Sequence, residues 1–267
     1  MRLRLVPAAQ GLVWVRLGAR TFMRQPLAMA GLFFMFMAVV SVLSVIPVIG
    51  SVAAIVLVPS ATIGLMAASR EAHEGRFPMP ALLVTAFRGG LDKSKPMLVL
   101  GVIYAVIVAL LMGAAMLVGP GDAPAVGADA EVTPEMLRQA MFGPDMVVMM
   151  LLYVPVLMAF WHAPALVHWH GVPPVKSLFF SALACWRNKG AMLVYGAGWL
   201  GVFLLGGLAT SFLASLMGGS AGLAMVLYPA VLLMAAMFHT SVYFTFRDSF
   251  DADTPAADDA SASSDNA

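Results

Sequence analysis

Apolar residues are grouped along the chain into six uninterrupted windows of membrane-spanning length. The windows cover residues 27–48, 51–69, 97–118, 146–168, 191–216 and 222–246. None of them contains Asp, Glu, Lys or Arg, and about 20 mostly apolar residues form a helix that crosses roughly 30 Å of hydrocarbon. Helices are favoured because backbone polar groups in lipid must be satisfied within the segment. The pattern predicts an all-α membrane protein with six transmembrane helices.

The first two windows are separated only by residues 47–50. One long, kinked span is the alternative interpretation of this region. It would require about twice the apolar length that a bilayer accepts, so we predict a tight helical hairpin instead.

Three short amphipathic segments precede the odd-numbered windows. They cover residues 14–26, 82–96 and 179–190, and each combines aromatic residues and arginine with a following Pro or Gly. In the first segment Arg16, Arg20 and Arg24 recur every four residues, which places them on one stripe of a helix roughly opposite Trp14 and Phe22. Such segments are typical of helices in the membrane interface, with aromatic rings at headgroup level. We predict three short cytoplasmic interfacial helices.

The even-numbered windows share a proline followed by a small residue, at Pro59, Pro164 and Pro229. With the amphipathic segments, this divides the chain into three similar units, residues 8–69, 79–168 and 173–246. The division predicts a threefold internal repeat. The alternative is that every return to the membrane from this side favours arginine, aromatic residues and proline independently.

The distribution of charge predicts the orientation of the spans. Every Lys and Arg except Arg138 lies before the first window, between the second and third, between the fourth and fifth, or after the sixth. Positive residues collect on the cytoplasmic side, so both termini are predicted to be cytoplasmic. The predicted domains are a basic cytoplasmic segment with an interfacial helix (1–26), a six-helix transmembrane domain (27–246) and a disordered acidic cytoplasmic tail (247–267). A transit peptide is the alternative for the N-terminus, although that segment is poor in serine and runs directly into a span.

The composition excludes a soluble protein. Hydrophobic residues make up 61% of the chain and charged residues 11%, against about 45–50% and about 25% in soluble domains. The mean hydropathy is +0.90. A formal net charge of +1 leaves no basic domain that could bind nucleic acid. The single Cys185 cannot form an internal disulfide.

Several stretches carry a resemblance to a known group of proteins. They are residues 24–26, 65–71, 160–174, 176–181 and 184–189. With these stretches the chain resembles an uncharacterised family of proteobacterial multi-pass inner-membrane proteins, and it is distantly similar to the membrane domain of glycerophosphodiester phosphodiesterases. The chain lacks the catalytic domain of those enzymes. The resemblance implies a bacterial inner-membrane location and a multi-pass topology, and it implies no chemistry.

Candidate chemistry is sparse. His162 and His239 lie within predicted spans, where polar groups are commonly functional, and form the candidate intramembrane polar site. Interhelical hydrogen bonding is the alternative role for both. The pair His168 and His170 lacks the i, i+4 spacing of a helical metal site, and the 21 methionines, which could bind copper(I), are spread through all spans as apolar filling. We predict no metal.

Patterns that carry catalysis are missing from the sequence. It has no HExxH motif, nucleophile elbow, phosphate-binding glycine loop or paired intramembrane carboxylates. Arg187 and Lys189 lie close to Cys185, an arrangement that can lower a thiol pKa, but no base accompanies that cysteine. We therefore expect a protein that is not an enzyme, with no catalytic residues and no cofactor.

The leading functional hypothesis is a lipid-associated scaffold or envelope-homeostasis protein that binds anionic headgroups on the cytoplasmic side. The residues expected to bind headgroups are Arg16, Arg20, Arg24, Arg88, Arg187 and Lys189. The alternative is a small-molecule or metal-ion permease whose path lies between the proline-containing even spans, with His162 and His239 facing it.

Small residues recur four apart in two of the predicted spans. They are Ala105, Ala109 and Gly113 in the third and Gly207, Ser211, Ser215 and Gly219 in the fifth. Small residues allow close helix contact. We expect these stripes to pack within the monomer, and a homo-oligomer contact is the alternative.

Overall fold

The computed structural model describes residues 2–118, 138, 143–217 and 220–251. Within these residues the chain forms nine α-helices, one 3₁₀ helix and one two-stranded sheet. The α-helices are α1 (Gln10–Arg24), α2 (Pro26–Ser44), α3 (Ile49–His73), α4 (Leu91–Val118), α5 (Pro144–Trp161), α6 (Ala163–His170), α7 (Pro174–Arg187), α8 (Lys189–Leu216) and α9 (Ser220–Ser249). The 3₁₀ helix covers Pro80–Phe87, and the strands are β1 (Arg2–Leu3) and β2 (Phe250–Asp251).

The prediction of an all-α protein with six transmembrane helices is confirmed. Six segments are long and apolar enough to cross a membrane: Pro26–Ser44, Ile49–His73, Ser94–Ala115, Met146–His170, Lys189–Leu216 and Val226–Ser249. The first two are separate helices joined by a short turn, as predicted. Several spans continue beyond their apolar windows into charged residues, because a helix can extend past the hydrocarbon into the polar interface.

The two ends of the described chain meet on one face of the helix bundle. Strands β1 and β2 pair antiparallel, with Arg2 opposite Asp251 and Leu3 opposite Phe250. An even number of spans likewise brings the two ends of the chain to the same side of the bundle. We call the end of the bundle that carries β1 and β2 the terminal face.

The N-terminal amphipathic helix is confirmed, and its aromatic side chains are covered by protein. In α1 the side chains of Trp14 and Phe22 are buried in the protein core, so these rings contact neighbouring helices and not lipid headgroups. The apolar face of α1 packs against α8 and α9, because a helix with one apolar stripe gains most by burying it against neighbouring helices. Arg16 and Arg20 remain exposed on the opposite face.

The other two predicted interfacial helices differ from α1 and from each other. The second is the short 3₁₀ helix Pro80–Phe87, which is kinked at Val84. The third is α7, a regular α-helix on which Phe179 and Trp186 are exposed. Because the three elements have different geometries, the threefold internal repeat stays a prediction.

Proline affects the three even-numbered spans unequally. Pro59 and Pro229 lie within the continuous helices α3 and α9. Pro164 follows a break in the fourth span, which ends α5 at Trp161 and begins α6 at Ala163. Proline lacks the N–H that the helix needs and crowds the preceding turn, and the fourth span has a second proline, Pro155, about two turns before the break.

Close helix contacts occur at glycines other than those predicted. A Cβ on Gly11 would lie 2.3 Å from the carbonyl oxygen of Ala191, and a Cβ on Gly18 would lie 2.2 Å from the Cβ of Ser241. By contrast, a Cβ on Gly113 or on Gly207 would have no neighbouring atom within 4 Å. The expectation that both small-residue stripes pack within the monomer is therefore wrong at these two glycines.

The chain remains ordered beyond the predicted start of the acidic tail at residue 247. Helix α9 continues to Ser249, and β2 occupies Phe250–Asp251. The rest of the predicted tail, residues 252–267, lies outside the described residues. Gly219 of the fifth-span stripe and most of the acidic outer loop lie outside them as well.

Candidate functional site

The six cations that the sequence predicts to bind headgroups are all exposed on the terminal face or beside it. Arg16 and Arg20 form no ion pair within the described part of the chain. Arg24 donates a hydrogen bond from Nη1 to the carbonyl oxygen of His73, at 2.8 Å. This bond satisfies one of the carbonyls left free at the end of α3, so Arg24 has a structural partner that Arg16 and Arg20 lack.

Of the remaining predicted cations, Arg88 follows the 3₁₀ helix, Arg187 ends α7 and Lys189 begins α8. Arg88 and Arg187 are exposed and form no ion pair with any described residue. Lys189 is also exposed, and its Nζ lies 5.0 Å from the ring centroid of Trp186, a cation–π contact. An ammonium group held in this way keeps its N–H donors available to a further acceptor.

A second set of arginines on the same face is paired with acids. Arg70 donates to Glu74 at 3.2 Å, and Arg76 forms ion pairs with both Glu71 and Glu74. Hydrogen bonds from Arg70 and then Arg76 hold the pKa of Glu74 below its ordinary value. The terminal face therefore carries paired arginines, which are locally neutralised, and unpaired arginines, which are not.

Asp248 is a half-buried anchor that the sequence analysis missed. Its Oδ2 accepts hydrogen bonds from Gln10 at 2.7 Å and from the Trp14 indole at 2.9 Å, and its Oδ1 accepts from Arg247 at 2.7 Å. The carboxylate thereby fixes α1 against the end of α9. Its position just after the last apolar window made it resemble the start of an acidic tail.

Asn188 joins three separate parts of the chain. Its Oδ1 accepts a hydrogen bond from the backbone N–H of Val6 at 3.0 Å, and its Nδ2 donates to the carbonyl oxygen of Arg4 at 3.0 Å. The same Nδ2 lies 3.5 Å from Ser249 Oγ. This buried amide connects the N-terminal segment with the turn before α8 and with the end of α9. In the sequence Asn188 lies between Arg187 and Lys189, and nothing in this basic run indicates a buried amide.

At the break in the fourth span, the hydroxyl of Ser181 on α7 forms the hydrogen bonds that the helix itself lacks. In a continuous helix the N–H of His162 would donate to the carbonyl of Met158. Here the His162 N–H donates instead to Ser181 Oγ at 2.9 Å, and that hydroxyl donates to the Met158 carbonyl at 2.7 Å. An inserted hydroxyl is a recognised cause of a helix break. Ser181 and His162 are both fully buried.

The ring of His162 belongs to the same buried network. Its Nε2 lies 3.2 Å from Thr245 Oγ1, which also accepts from the Trp161 indole at 3.0 Å and donates to the Val242 carbonyl. Thr245 uses its own proton in that last bond, so the geometry assigns a proton to His162 Nε2. His162 is thus an interhelical hydrogen-bonding residue, which was the alternative role given for it.

Cys185 lies beside this network and is not activated. Its Sγ is 3.8 Å from His162 Nδ1 and 3.7 Å from the Met158 carbonyl oxygen. Burial raises the pKa of the thiol to about 12. The nearby cations Arg187 and Lys189 therefore do not lower it, because both point to solvent while the sulfur is enclosed.

His239 has a different environment from His162. Its ring packs 5.3 Å from that of Phe33, and it borders a cavity of about 260 Å³. Pro59 and Pro164 line the same cavity, together with Tyr104 and Tyr153. His162 is not among the lining residues. The structure does not bring the two predicted histidines together at one cavity.

No three His, Cys, Asp or Glu side chains of the described residues are grouped as metal ligands. The absence of a metal and of a cofactor stays a prediction.

Six apolar spans that pack around two clusters of buried residues, with a polar network across one end, define a multi-pass helical membrane protein. The probable inner membrane protein BTH_II0599 of Burkholderia thailandensis is 38% identical over 261 residues, which cover 96% of this chain and 97% of that protein. The chain therefore belongs to the same family, and the prediction of a multi-pass inner-membrane protein is confirmed. No protein-family model and no solved structure matches the chain. The distant similarity to the membrane domain of glycerophosphodiester phosphodiesterases stays a prediction.

Proposed function

We propose that this protein is a non-enzymatic, lipid-associated scaffold or envelope-homeostasis protein of the inner membrane, whose cytoplasmic face binds anionic headgroups. The observation that carries the proposal is the division of arginines on the terminal face. Arg16, Arg20, Arg88 and Arg187 are exposed and have no carboxylate partner among the described residues, whereas Arg70 and Arg76 are neutralised by Glu71 and Glu74. Unpaired guanidinium groups on this face are suited to charge-assisted hydrogen bonds with lipid phosphates.

Orientation is part of this proposal. The pairing of β1 with β2 supports placing both termini on one side of the membrane. The positive residues support assigning that side to the cytoplasm, since such residues collect there in bacterial membrane proteins. The Cys185 thiol lies beside the His162 ring, but both side chains are buried and burial raises the pKa of the thiol, which supports a binding role rather than a catalytic one.

The experiment compares two charge-matched double variants of the full chain in mixed phosphatidylglycerol and phosphatidylethanolamine nanodiscs. Arg16→Gln with Arg88→Gln removes unpaired cations, and Arg70→Gln with Arg76→Gln removes paired ones. Native mass spectrometry after gentle release measures the ratio of the two lipids retained. Each unpaired arginine contributes about 1 kcal/mol, so each replacement is expected to lower the phosphatidylglycerol preference about fivefold.

The control pair leaves Glu71 and Glu74 without partners, which would by itself disfavour anionic lipid. The comparison is therefore strict, because the Arg70/Arg76 variant is itself expected to retain less phosphatidylglycerol. If the Arg16/Arg88 variant retains the wild-type lipid ratio, or loses no more than the Arg70/Arg76 variant, the headgroup-binding proposal is wrong.

A small-molecule permease is the second candidate function. The specific observation in its favour is the cavity of about 260 Å³ bordered by Pro59, Pro164 and His239, between spans that contain proline. Stopped-flow light scattering of proteoliposomes with glycerol as the probe tests it. A permease predicts faster swelling than protein-free liposomes and loss of the increase in His239→Trp. Swelling no faster than in protein-free liposomes would count against the glycerol path.

A further inference from the structure

A long apolar groove runs along the outer surface of the bundle between α5, α7, α8 and α9. Its volume is about 670 Å³. Tyr195 and Trp199 form part of its lining and are themselves 2% exposed, so they are fixed within the core. Leu193 and Leu200 border it as strongly exposed side chains. The groove therefore combines a rigid floor with rims that face the surroundings of the bundle.

Gly196 creates part of this space. It lies between Leu193 and Leu200 on α8 and lines the groove, and a Cβ at this position would meet no atom within 4 Å. Replacing it with a larger side chain would fill the groove without displacing its walls. Gly201 lies on the same helix, also has no atom within 4 Å of a Cβ, and does not line the groove. It is a matched control position.

One end of the groove carries a positive charge. Lys189 lines it together with Trp186, and the two side chains form the cation–π contact described above. The other end lies near Phe203. The 14 residues between them correspond to about 21 Å of helix, whereas one leaflet contributes about 15 Å of hydrocarbon. Lys189 therefore lies at headgroup depth when the rest of the groove lies among acyl chains.

We propose that this groove binds one acyl chain of an anionic membrane phospholipid, with the Lys189 ammonium on its phosphate. An amphiphile with one charged end matches a groove that is apolar along its length and cationic at one end. The ligand class rests on the proposed function, and Lys189 is one of the six cations predicted to bind headgroups, but the unpaired arginines Arg16 and Arg88 take no part in the groove. A second copy of this chain would gain nothing comparable from a single lysine at the rim.

Tryptophan fluorescence provides a direct test, since Trp161, Trp186 and Trp199 line the groove. The full-length protein is placed in nanodiscs that contain phosphatidylglycerol brominated at mid-chain, and bromine quenches indoles in contact with that chain. The wild-type protein is expected to be strongly quenched. Gly196→Leu is expected to lose most of this quenching, while Gly201→Leu keeps it. Circular dichroism and gel filtration establish that each variant is folded, and Gly196→Ala, which fills less of the space, is expected to give a partial loss.

The headgroup is tested separately with Lys189→Gln. Quenching by brominated phosphatidylglycerol is compared with quenching by brominated phosphatidylcholine, which has no net charge. Removal of the ammonium is expected to lower the preference for phosphatidylglycerol about fivefold, since one cation near an anionic surface contributes about 1 kcal/mol. An unchanged preference would show that Lys189 does not bind the phosphate.

The outcome is distinguishable from that of the proposed function. Arg16→Gln with Arg88→Gln is expected to leave groove quenching at the wild-type level, whatever its effect on total lipid retention. Equal quenching in Gly196→Leu, Gly201→Leu and wild type would overturn the groove proposal, because lipid would then be solvating the bundle non-specifically. A wild-type dimer that Gly196→Leu converts to a monomer would assign the groove to a second copy and would also overturn it.

Discussion

Ser181 replaces a hydrogen bond that the fourth span cannot form within itself. Its hydroxyl accepts from the His162 N–H and donates to the Met158 carbonyl. The His162 N–H is buried, and an unpaired buried backbone group costs about 1–3 kcal/mol. A single hydroxyl on α7 thus allows the fourth span to break while its backbone remains satisfied.

Ser181→Ala is expected to destabilise the protein by about 1–3 kcal/mol, because it leaves the His162 N–H without a partner and the Met158 carbonyl with only the weak S–H contact from Cys185. Thermal unfolding in detergent, followed by intrinsic fluorescence, measures the effect. Ser44→Ala is the matched control, since the Ser44 hydroxyl is exposed and only supplements the Val40 carbonyl. Equal unfolding temperatures for the two variants would contradict a bridging role for Ser181.

Cys185 is expected to be inert toward maleimide at pH 8 in the folded protein and fully reactive after unfolding in SDS. Burial raises its thiol pKa to about 12, so the reactive thiolate is scarce until the pH approaches that value. Mass spectrometry of the labelled chain follows the reaction. The control is Arg187→Cys in a Cys185→Ser background, which places a thiol at an exposed position two residues away. Labelling of Cys185 at the rate of this control would disprove its enclosure.

At the scale of elements, close backbone contacts fix α1 against two neighbouring helices. Gly11 approaches α8 and Gly18 approaches α9 so closely that neither position accommodates a Cβ. Trp14 lies between them and donates to Asp248. Two glycines seven residues apart thus form one flat stripe on which both neighbouring helices pack.

Gly18→Leu is expected to lower the unfolding temperature markedly, because overpacking of a close contact costs about 1–3 kcal/mol. Leucine also favours helix over glycine by about 0.8 kcal/mol, an effect that Gly201→Leu shares without any clash. The difference between the two variants in thermal unfolding therefore isolates the contact with Ser241. A Gly18→Leu protein as stable as Gly201→Leu would show that α1 does not depend on this approach.

The sequence was sufficient to predict the spans because each apolar window carries its own signal. The helical character of α1 was also predictable from the spacing of Arg16, Arg20 and Arg24. Its burial was not predictable, because its partner Asp248 lies 234 residues from Trp14. Likewise, nothing near His162 indicates the hydroxyl of Ser181, which reaches it only through the packing of α7. Local periodicity predicts that a helix forms, whereas residues distant in the sequence determine whether its side chains are buried.

At the scale of the whole molecule, the predicted orientation can be measured with two cysteines in a Cys185→Ser background. Asp129→Cys lies in the acidic connection between the third and fourth spans, and Arg187→Cys lies on the terminal face. A membrane-impermeant maleimide added to intact spheroplasts is expected to label Asp129→Cys only, because positive residues remain in the cytoplasm. Permeabilisation should expose Arg187→Cys. The reverse pattern would place both termini outside.

The closure of the chain by Asn188 and Asp248 has a consequence for biosynthesis. Helix α1 is made before any span, yet its partners α8 and α9 are the last helices to leave the ribosome. At about 5–20 residues per second, the 234 residues between Trp14 and Asp248 take roughly 10–50 s to synthesise. Throughout that interval α8 and α9 are missing, and only α2 and α3 are available to contact the amphipathic helix. The last contacts to form in this protein therefore join its final helices to the first helix that was synthesised.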